Sequence, residues 1–528
     1  MVVEAPQYPT PSGDPAELYM RRFERARALR ENWVSLFEDC YTYTLPARES
    51  FFMESGGSDR TDHIFDETAV VGVQEFASRL QSGLVPTFAR WADLKTGQKV
   101  PSKEREDIDR KLSEVTEFIF EILQSSNFNQ EVHESFMDLA VGTGCLLVEE
   151  GDVNHPIRFN AVPLPHIYLE ASPDDQIDAV YRTRRMRPED IERMWPGAEL
   201  PASMKARMLS NNSQLCDIIE CTVRNIETPN ETAYDYLVIS KTDKAILYQD
   251  KFEGTGSSPW VIFRWSKASG EIYGRGPVLN ALPAIKTCNL TVELILENAQ
   301  LAISGIWQVD DDGTVNADTI NLVPGTVVPR APGSSGLTPI TPPGRFDVAQ
   351  LVLDDMRLNI RRALYNEMLG DPNKTPMTAT EVAERMGDLS RQIGSAFGRL
   401  QAELVQPLLQ RVIFLLKKRG LIELPQVDGR DIRISATSPL ARSQKLQDVT
   451  TVDRFVELVG ARFGPQALSM TIKPEKAAEF IAERLGVPPE ILRTEVEREQ
   501  LVQYLQQAQA AAQQQQMQQT QQAPADAG

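Results

Sequence analysis

The 528-residue sequence has few of the residues that metal and redox sites require. Its five cysteines are an odd number at wide spacings and include no CxxC pair, which indicates free thiols in a reducing compartment. The four histidines, at positions 63, 133, 155 and 166, lack the spacing of zinc ligands. We therefore expect neither a metal nor any other cofactor.

Positive charge is also scarce. Lysine and arginine number 55 against 74 aspartate and glutamate residues, giving a formal net charge of −19. A general nucleic-acid binder needs an excess of basic side chains, because its surface must attract phosphates. This composition argues against that class of protein.

Long uninterrupted apolar runs are missing as well. The longest candidate, 277–303, contains Lys286, Glu293 and Glu297, and a charged side chain at a bilayer centre costs on the order of 2.5 to 3.5 kcal/mol by insertion scales. The first 13 residues are proline-rich and acidic, without the basic and apolar regions of a signal peptide. We expect no membrane partner.

Motifs for catalysis are not found. A phosphate loop requires GxxxxGK[ST], which does not occur, and Gly274–Arg275–Gly276–Pro277 is better explained as a turn that delivers a strand into a helix. The GTGC stretch at 142–145 is similarly better explained as a helix stop followed by a strand than as a phosphate cradle. The acidic run 310–312 fits a hairpin turn better than a calcium loop. We expect that the protein is not an enzyme.

Periodic apolar residues predict many helices, together with a middle region of short strands. The helices are predicted at 15–42, 66–84, 103–125, 128–140, 188–195, 201–209, 347–369, 379–419, 441–459, 473–485 and 489–519. The strands are predicted at 145–149, 157–161, 166–170, 179–183, 217–223, 234–240, 245–250 and 260–265. The fold class is therefore α+β and mainly helical. Pro407 should kink the long helix 379–419.

The helix 277–303 is apolar on nearly every side. Its polar residues form one stripe, made up of Lys286, Asn289, Glu293, Glu297 and Gln300. Such a helix is buried on most sides, either in the core of one chain or between copies of itself in a ring. On the buried interpretation, Leu294→Asp should abolish folding. A second helix, 347–369, also has its polar residues on one side, and the two bracket a Gly/Pro-rich module, which suits a projecting hairpin with a β-rich tip.

Five motifs, spread in order along the chain, carry a family resemblance. They are FARWADL at 88–94, VGTGCLLVEEGD at 141–152, IYGRGPVLNALPAIKTCN at 272–289, MTATEVAERMGD at 377–388 and GRLQAELVQPLLQR at 398–411. With the glutamine-rich C-terminus, they resemble the head-to-tail connectors, or portal proteins, of short-tailed T7-like bacteriophages (podoviruses).

The resemblance implies a portal fold of wing, stem, clip and crown that assembles into a ring with a central channel. Carried onto this sequence, it divides the chain as follows: a flexible arm, 1–13; an α+β wing, 14–276; stem helices, 277–303 and 346–369; a clip, 304–345; a tunnel loop, 370–380; a long wing-to-crown helix, 381–420; a helical crown, 421–488; and a Gln-rich helix or barrel with a disordered tail, 489–528.

The resemblance also implies a function. A ring, usually of twelve subunits, would occupy one capsid vertex between head and tail and conduct double-stranded DNA during packaging and ejection, after assembly in the host cytoplasm. Its partners would be the major capsid and scaffolding proteins, the terminase large subunit, and tail, adaptor and internal core proteins. The rivals are another virion structural or adaptor protein and a packaging ATPase, which would need the missing phosphate loop.

An acidic channel would let the duplex slide, because every neutralised phosphate adds affinity. On this resemblance, the candidate channel residues are Asn373, Lys374 and Thr375 in the tunnel loop, and Lys286, Glu293, Glu297, Arg357 and Arg361 in the stem. For each basic group, a solvated or salt-bridged side chain is the alternative.

Overall fold

The computed structural model describes residues 15–48, 50–51, 60–97, 102–173, 175–209, 215–225, 232–304, 307–308, 338–339, 346–366, 394–424, 432–485, 493 and 504. Helices account for 56% of the structure and strands for 19%, so the predicted α+β, mainly helical class is confirmed. The expected N-terminal arm, the tunnel loop 370–380, most of the clip and nearly all of 489–528 lie outside the described residues.

Twelve α-helices lie within the described ranges. They are α1 (Pro15–Thr44), α2 (Thr68–Leu84), α3 (Ser102–Ser125), α4 (Phe128–Val141), α5 (Pro188–Met194), α6 (Ala202–Leu209), α7 (Pro277–Ser304), α8 (Phe346–Ala363), α9 (Gly394–Leu400), α10 (Gln406–Lys418), α11 (Pro439–Thr471) and α12 (Pro474–Leu485). A π turn, Gln401–Val405, joins α9 to α10.

The strands within the same ranges also number twelve. They are β1 (Ala92–Thr96), β2 (Thr143–Glu150), β3 (Ile157–Ala161), β4 (Ile167–Ala171), β5 (Ile177–Met186), β6 (Cys216–Arg224), β7 (Ala233–Ser240), β8 (Ile246–Glu253), β9 (Trp260–Arg264), β10 (Trp307–Gln308), β11 (Thr338–Pro339) and β12 (Ile432–Ala436). All eight predicted strands are confirmed as β2 to β9.

The largest sheet is an antiparallel meander in the order β4-β5-β6-β7-β8. Strand alternation gives it two apolar faces. On one face, Phe23 and Ala26 of α1 pack against Tyr181 and Ile219. On the other face, Ile191 of α5 and Trp195, directly after α5, pack against Ile218 and Val238. The sheet is therefore buried on both sides by helices.

A second sheet, in the order β3-β2-β9, belongs to the main core. This core contains residues of α1, α2 and α4, of the sheet, and of the first half of α7. It also contains residues at the end of α8 and residues of α9, the π turn and α10. Because strand and helix residues from both ends of the chain contribute to it, the segments before α7 and after α8 form one packed body around the root of these two helices.

Strand β12 pairs antiparallel with β1, from Ala92 opposite Ala436 to Thr96 opposite Ile432. Neither strand is among those predicted above. The expected helical crown, 421–488, is therefore not uniformly helical, because this strand connects it to the N-terminal half of the chain. The helices α11 and α12 confirm the helical prediction for the rest of the segment's described part.

Where the sequence predicts a kink at Pro407, the structure has a π turn, Gln401–Val405, that ends two residues before the proline. Proline has no N–H for the residue four positions earlier, Glu403, and its ring clashes with that residue's carbonyl. A wider turn accommodates both effects. The N-terminal part of the predicted helix, 379–393, lies outside the described residues.

Candidate functional site: the stem hairpin and its root

Helices α7 and α8 form the candidate site, which we call the stem hairpin. The 28 residues of α7 span about 42 Å at ~1.5 Å per residue, and α8 packs along it. Between the two helices, β10 and β11 pair antiparallel, with Trp307 opposite Pro339. The chain therefore runs out along α7 and returns along α8, as the predicted hairpin requires.

Burial changes along α7. Val278, Leu282 and Ile285 in its first half are at most 5% exposed and belong to the main core. Further along, Leu290 and Leu294 are 53% and 49% exposed. The first half of α7 therefore fits burial in the core of one chain. The second half is not buried within the chain, which leaves it for contact between copies in a ring.

Helix α8 is also buried near the root, but its earlier residues divide between a buried face, which includes Leu353 at 6% exposed, and an exposed face. Ile360 and Leu364, near the root, are at most 1% exposed, whereas Leu351 is 74% and Leu358 41% exposed. Leucine side chains gain roughly 1.5 to 3 kcal/mol each when fully buried. The outer part of the stem hairpin thus presents apolar surface that a single subunit leaves uncovered within its described residues.

The predicted polar stripe of α7 does not face water uniformly. Asn289 is only 6% exposed, and its amide joins the hairpin to the segment before α2. Its Oδ1 accepts from the backbone N–H of Phe65 at 2.7 Å, and its Nδ2 donates to the His63 carbonyl at 2.9 Å. Glu293 is half-buried and Glu297 is exposed. The polar stripe is therefore bonded to the rest of the chain at Asn289 and reaches the surface at Glu297.

Two predicted channel cations form ion pairs within the chain. The Lys286 ammonium lies 2.6 Å from the Asp39 carboxylate on α1, and the Arg357 guanidinium lies 2.7 Å from Asp66. Burial tends to raise the pKa of Asp66, but hydrogen bonds from Thr68 and Arg357 outweigh it, so this pKa lies below its ordinary value. Both pairs tie the stem hairpin to the segment before α2, through Asp39 and Asp66, in line with the salt-bridged alternative for Lys286 and Arg357.

The remaining predicted channel residues are in two groups. Arg361 is exposed on α8, near the root of the hairpin. Asn373, Lys374 and Thr375 lie outside the described residues, so their role stays a prediction.

At the root of α7, the backbone of the GRGP stretch at 274–277 lies directly against the backbone of the GTGC stretch at 142–145. The Gly274 N–H donates to Thr143 Oγ1 at 2.8 Å, and the Gly276 N–H donates to the Val141 carbonyl at 2.9 Å. A Cβ atom on Gly142 would collide with the Gly274 carbonyl oxygen, and one on Gly274 would collide with that of Gly142. These amides are used by the fold itself, so the interpretation of GRGP as the turn before a helix is confirmed.

A buried ion pair beside this backbone contact joins the root to the π turn. Arg264, at the end of β9, directs its Nη2 at Glu403 Oε1 over 2.7 Å, while its Nε and backbone N–H donate to Oε2. Its Nη1 donates to the Ile272 carbonyl at 3.1 Å, just before the glycine motif. The arginine therefore links the strand, the start of α7 and the π turn.

Arg411 fixes the next helix, α10, in the same core. Its Nε donates to the Val148 carbonyl at 3.1 Å and its Nη1 to the Ser257 carbonyl at 2.7 Å. Burial lowers the pKa of Arg411 to about 10. Sequence reasoning missed Arg264, Glu403 and Arg411, because their partners lie more than a hundred residues away along the chain.

Chemistry typical of an enzyme is not seen in the described part of the chain. No three His, Cys, Asp or Glu side chains there are grouped so that they could hold a metal ion. All five cysteines are buried and free, as predicted. In the same part of the chain, no helix is long and apolar enough to cross a bilayer.

Comparisons with known proteins agree on one family. The family model described as "Bacteriophage head to tail connecting protein" matches residues 16–492. A "Probable portal protein" of Bordetella phage BPP-1 is 23% identical over 90% of this chain and 88% of its own length. The "Portal protein" of Salmonella phage epsilon15 is 22% identical over 94% and 92%. A solved structure titled "Virion of native gene transfer agent (GTA) particle" covers 81% of this chain and 92% of its own at 11% identity, with a TM-score of 0.37.

Proposed function

Because the chain belongs to the family of bacteriophage head to tail connecting proteins, and so is a structural connector rather than an enzyme, we propose that it forms a ring that conducts double-stranded DNA. The ring contains twelve copies and occupies one vertex of the capsid. DNA passes through its central channel during packaging and again during ejection.

The observation that carries the ring is the exposed apolar surface of the outer stem hairpin. Leu290 and Leu294 of α7, with Leu351 and Leu358 of α8, are each between 41% and 74% exposed in one subunit. Monomeric soluble proteins rarely leave such residues clustered on a surface, and clusters of this kind mark interaction sites. In a ring, each hairpin lies between two sister hairpins, which cover these side chains.

The charge of the protein suits transport of a duplex. With a net charge of −19, the chain as a whole repels phosphates. Since Lys286 and Arg357 are paired with Asp39 and Asp66, neither offers a free positive charge to the channel. A channel with few unpaired cations holds DNA weakly, because counterion release scales with the number of phosphates neutralised.

The ring meets several partners in turn. The major capsid and scaffolding proteins hold it in the shell, and the terminase large subunit docks on the clip during filling. Tail, adaptor and internal core proteins replace the motor afterwards. The clip, 304–345, and the tunnel loop, 370–380, supply the contacts to the motor and to DNA, in line with the resemblance found in the sequence.

Mass photometry of the purified chain tests the assembly. We expect a particle of about 710 kDa, twelve times the 59.1 kDa subunit, and a central hole in negative stain. A compact monomer at micromolar concentration would contradict the proposal.

Packaging in particles tests the channel loop. Replacing Asn373, Lys374 and Thr375 with alanine should leave rings intact while genomes are packaged or held poorly. If such particles fill and retain DNA normally, these residues are not channel contacts.

A further inference from the structure

A basic groove lies on the five-stranded sheet, beside the helix that covers it. The cavity has a volume of about 370 Å³ and lies where β5 ends and β6 begins, next to Phe23 and Arg27 of α1. Its basic lining residues are Arg27, Arg182, Arg184, Arg185, Lys241 and His166. Asp217 is the one carboxylate in this lining among the residues that the structure describes.

Nearby carboxylates neutralise only part of the positive charge of the groove. Arg185 pairs with Asp217 at 2.9 Å, and Arg184 pairs with Glu220 at 3.0 Å. Lys241 has no ion pair or side-chain hydrogen bond with any described residue, and Arg27 approaches its nearest carboxylate, Glu24, only at 3.6 Å. In a chain of net charge −19, this local excess of positive charge favours an anionic occupant.

The net charge of −19 favours a protein occupant over duplex DNA. Neither a B-form duplex nor a helix, each at least about 10 Å across, can enter a cavity of about 370 Å³, so an occupant reaches it from its rim. A row of carboxylates on a helix can reach into such a groove from its rim. Tyr168 in the lining is half-buried and provides apolar contact for one large side chain, whereas Phe23 is fully buried.

Helix α3 carries a face with this chemistry. Glu114, Glu117, Phe118 and Glu121 follow each other at spacings of three, one and three residues, which places them on one side of the helix. All three glutamates are exposed, and none forms an ion pair or hydrogen bond with a described residue. Phe118 between them is 38% exposed although it is aromatic. We call this set the acidic face of α3.

We propose that the acidic face of α3 in one subunit docks into the basic groove of the next subunit. Carboxylates then meet Arg27 and Lys241, and Phe118 contacts the Tyr168 side chain of the groove. Two different surfaces meet in this contact, so it is a head-to-tail interface, which closes into a ring when the rotation between copies allows. The inference rests on the proposed ring and names a second contact within it, away from the stem hairpin.

Charge reversal with rescue tests this contact in the full-length chain. The groove variant carries Arg27→Glu and Lys241→Glu, and the helix variant carries Glu117→Lys and Glu121→Lys. Each should raise the subunit concentration needed for half-maximal ring formation at least tenfold in mass photometry, because like charges then face each other. Combining all four substitutions should restore the native concentration within about threefold.

The matched control reverses exposed charges elsewhere, with Lys205→Glu on α6 and Glu192→Lys on α5, and should assemble as the native chain does. Melting curves of each variant check that it folds, because Lys241 is half-buried although the other changed side chains are exposed.

Three outcomes would overturn the docking. If both reversed variants assemble like the native chain, the ring stands and this contact does not exist. If only the groove variant fails and the fourfold variant is not rescued, the occupant is not α3. If the groove variant assembles normally but binds duplex DNA less well, the anion is a phosphate. A native chain that forms no ring would instead remove the proposed function itself, and the docking with it.

Discussion

The carboxylate of Glu403 accepts three hydrogen bonds from Arg264, one from the backbone N–H and two from the guanidinium, at 2.7 to 3.1 Å. The two residues are 139 positions apart, and their side chains are 6% and 20% exposed. This pair joins the last strand before α7 to the π turn that precedes α10. It makes α10 part of the same body as the root of the stem hairpin.

Glu403→Ala should therefore destabilise the chain by about 3 kcal/mol, because removing one partner leaves the Arg264 charge buried and uncompensated. Hydrogen exchange should rise most within Gly394–Leu400, which precedes the π turn, and less in α10, which Arg411 holds independently. Glu423→Ala, an exposed site beyond α10, is the control. Equal exchange in the two variants would show that the pair contributes nothing to this joint.

The glycine backbone contact at the stem root allows a paired comparison. Gly142→Ala should cost at least about 3 kcal/mol, because the added methyl group collides with the Gly274 carbonyl and the backbones must separate. Gly398→Ala, on α9, meets no atom within 4 Å and should stabilise by about 0.5 to 1 kcal/mol. Soluble yield and melting temperature measure both effects. A well-folded Gly142→Ala protein with native melting would contradict the close approach.

The burial gradient along α7 revises one expectation from the sequence. Leu294 is 49% exposed, so Leu294→Asp should leave the subunit folded and abolish ring formation instead of abolishing folding. Leu282→Asp should prevent folding, because Leu282 is 5% exposed in the core and a buried unpaired carboxylate is very costly. Circular dichroism separates loss of folding from loss of assembly seen by mass photometry. A Leu294→Asp chain that assembles normally would show that this position makes no subunit contact.

The ion pair between Asp66 and Arg357 predicts a dependence on pH. The Asp66 pKa is lowered in the folded chain, so its contribution to stability is present above the ordinary value of 3.8 and is lost as the pH falls through the lower folded value. Asp66→Asn should lower the melting temperature at pH 7, and its effect should shrink as the pH falls below 3.8. Measuring both proteins across this range checks the sign. A constant difference between them at every pH would contradict it.

Local patterns in the sequence predict much of the fold. The strands β2 to β9 and the helices α1 to α6 are visible there because alternation and helical spacing depend only on neighbouring residues. The pairing of β1 with β12 was missed, since Asp93 and Lys95 give β1 a polar appearance and its partner lies some 340 residues later. Ile432, Ile434 and Ala436 do alternate with polar residues, so β12 had a local signal that could have been used.

The site was harder to predict than the fold. The stem helices follow from apolar spacing, but which half of α7 is buried depends on what packs against its root. The partners of Lys286 and Arg357 are Asp39 and Asp66, which are hundreds of positions away, and no spacing rule connects them. The functional assignment of these helices came from the order of five motifs along the chain, which is information about a family and not about local physics.

A density map of the assembled protein is the most direct test of the central claim, that sister subunits cover the outer stem hairpin. We predict stem hairpins packed side by side around an open axis, with Leu290, Leu294, Leu351 and Leu358 buried between neighbouring copies. A map in which another segment of the same chain covers these leucines, or in which they face solvent, would contradict it.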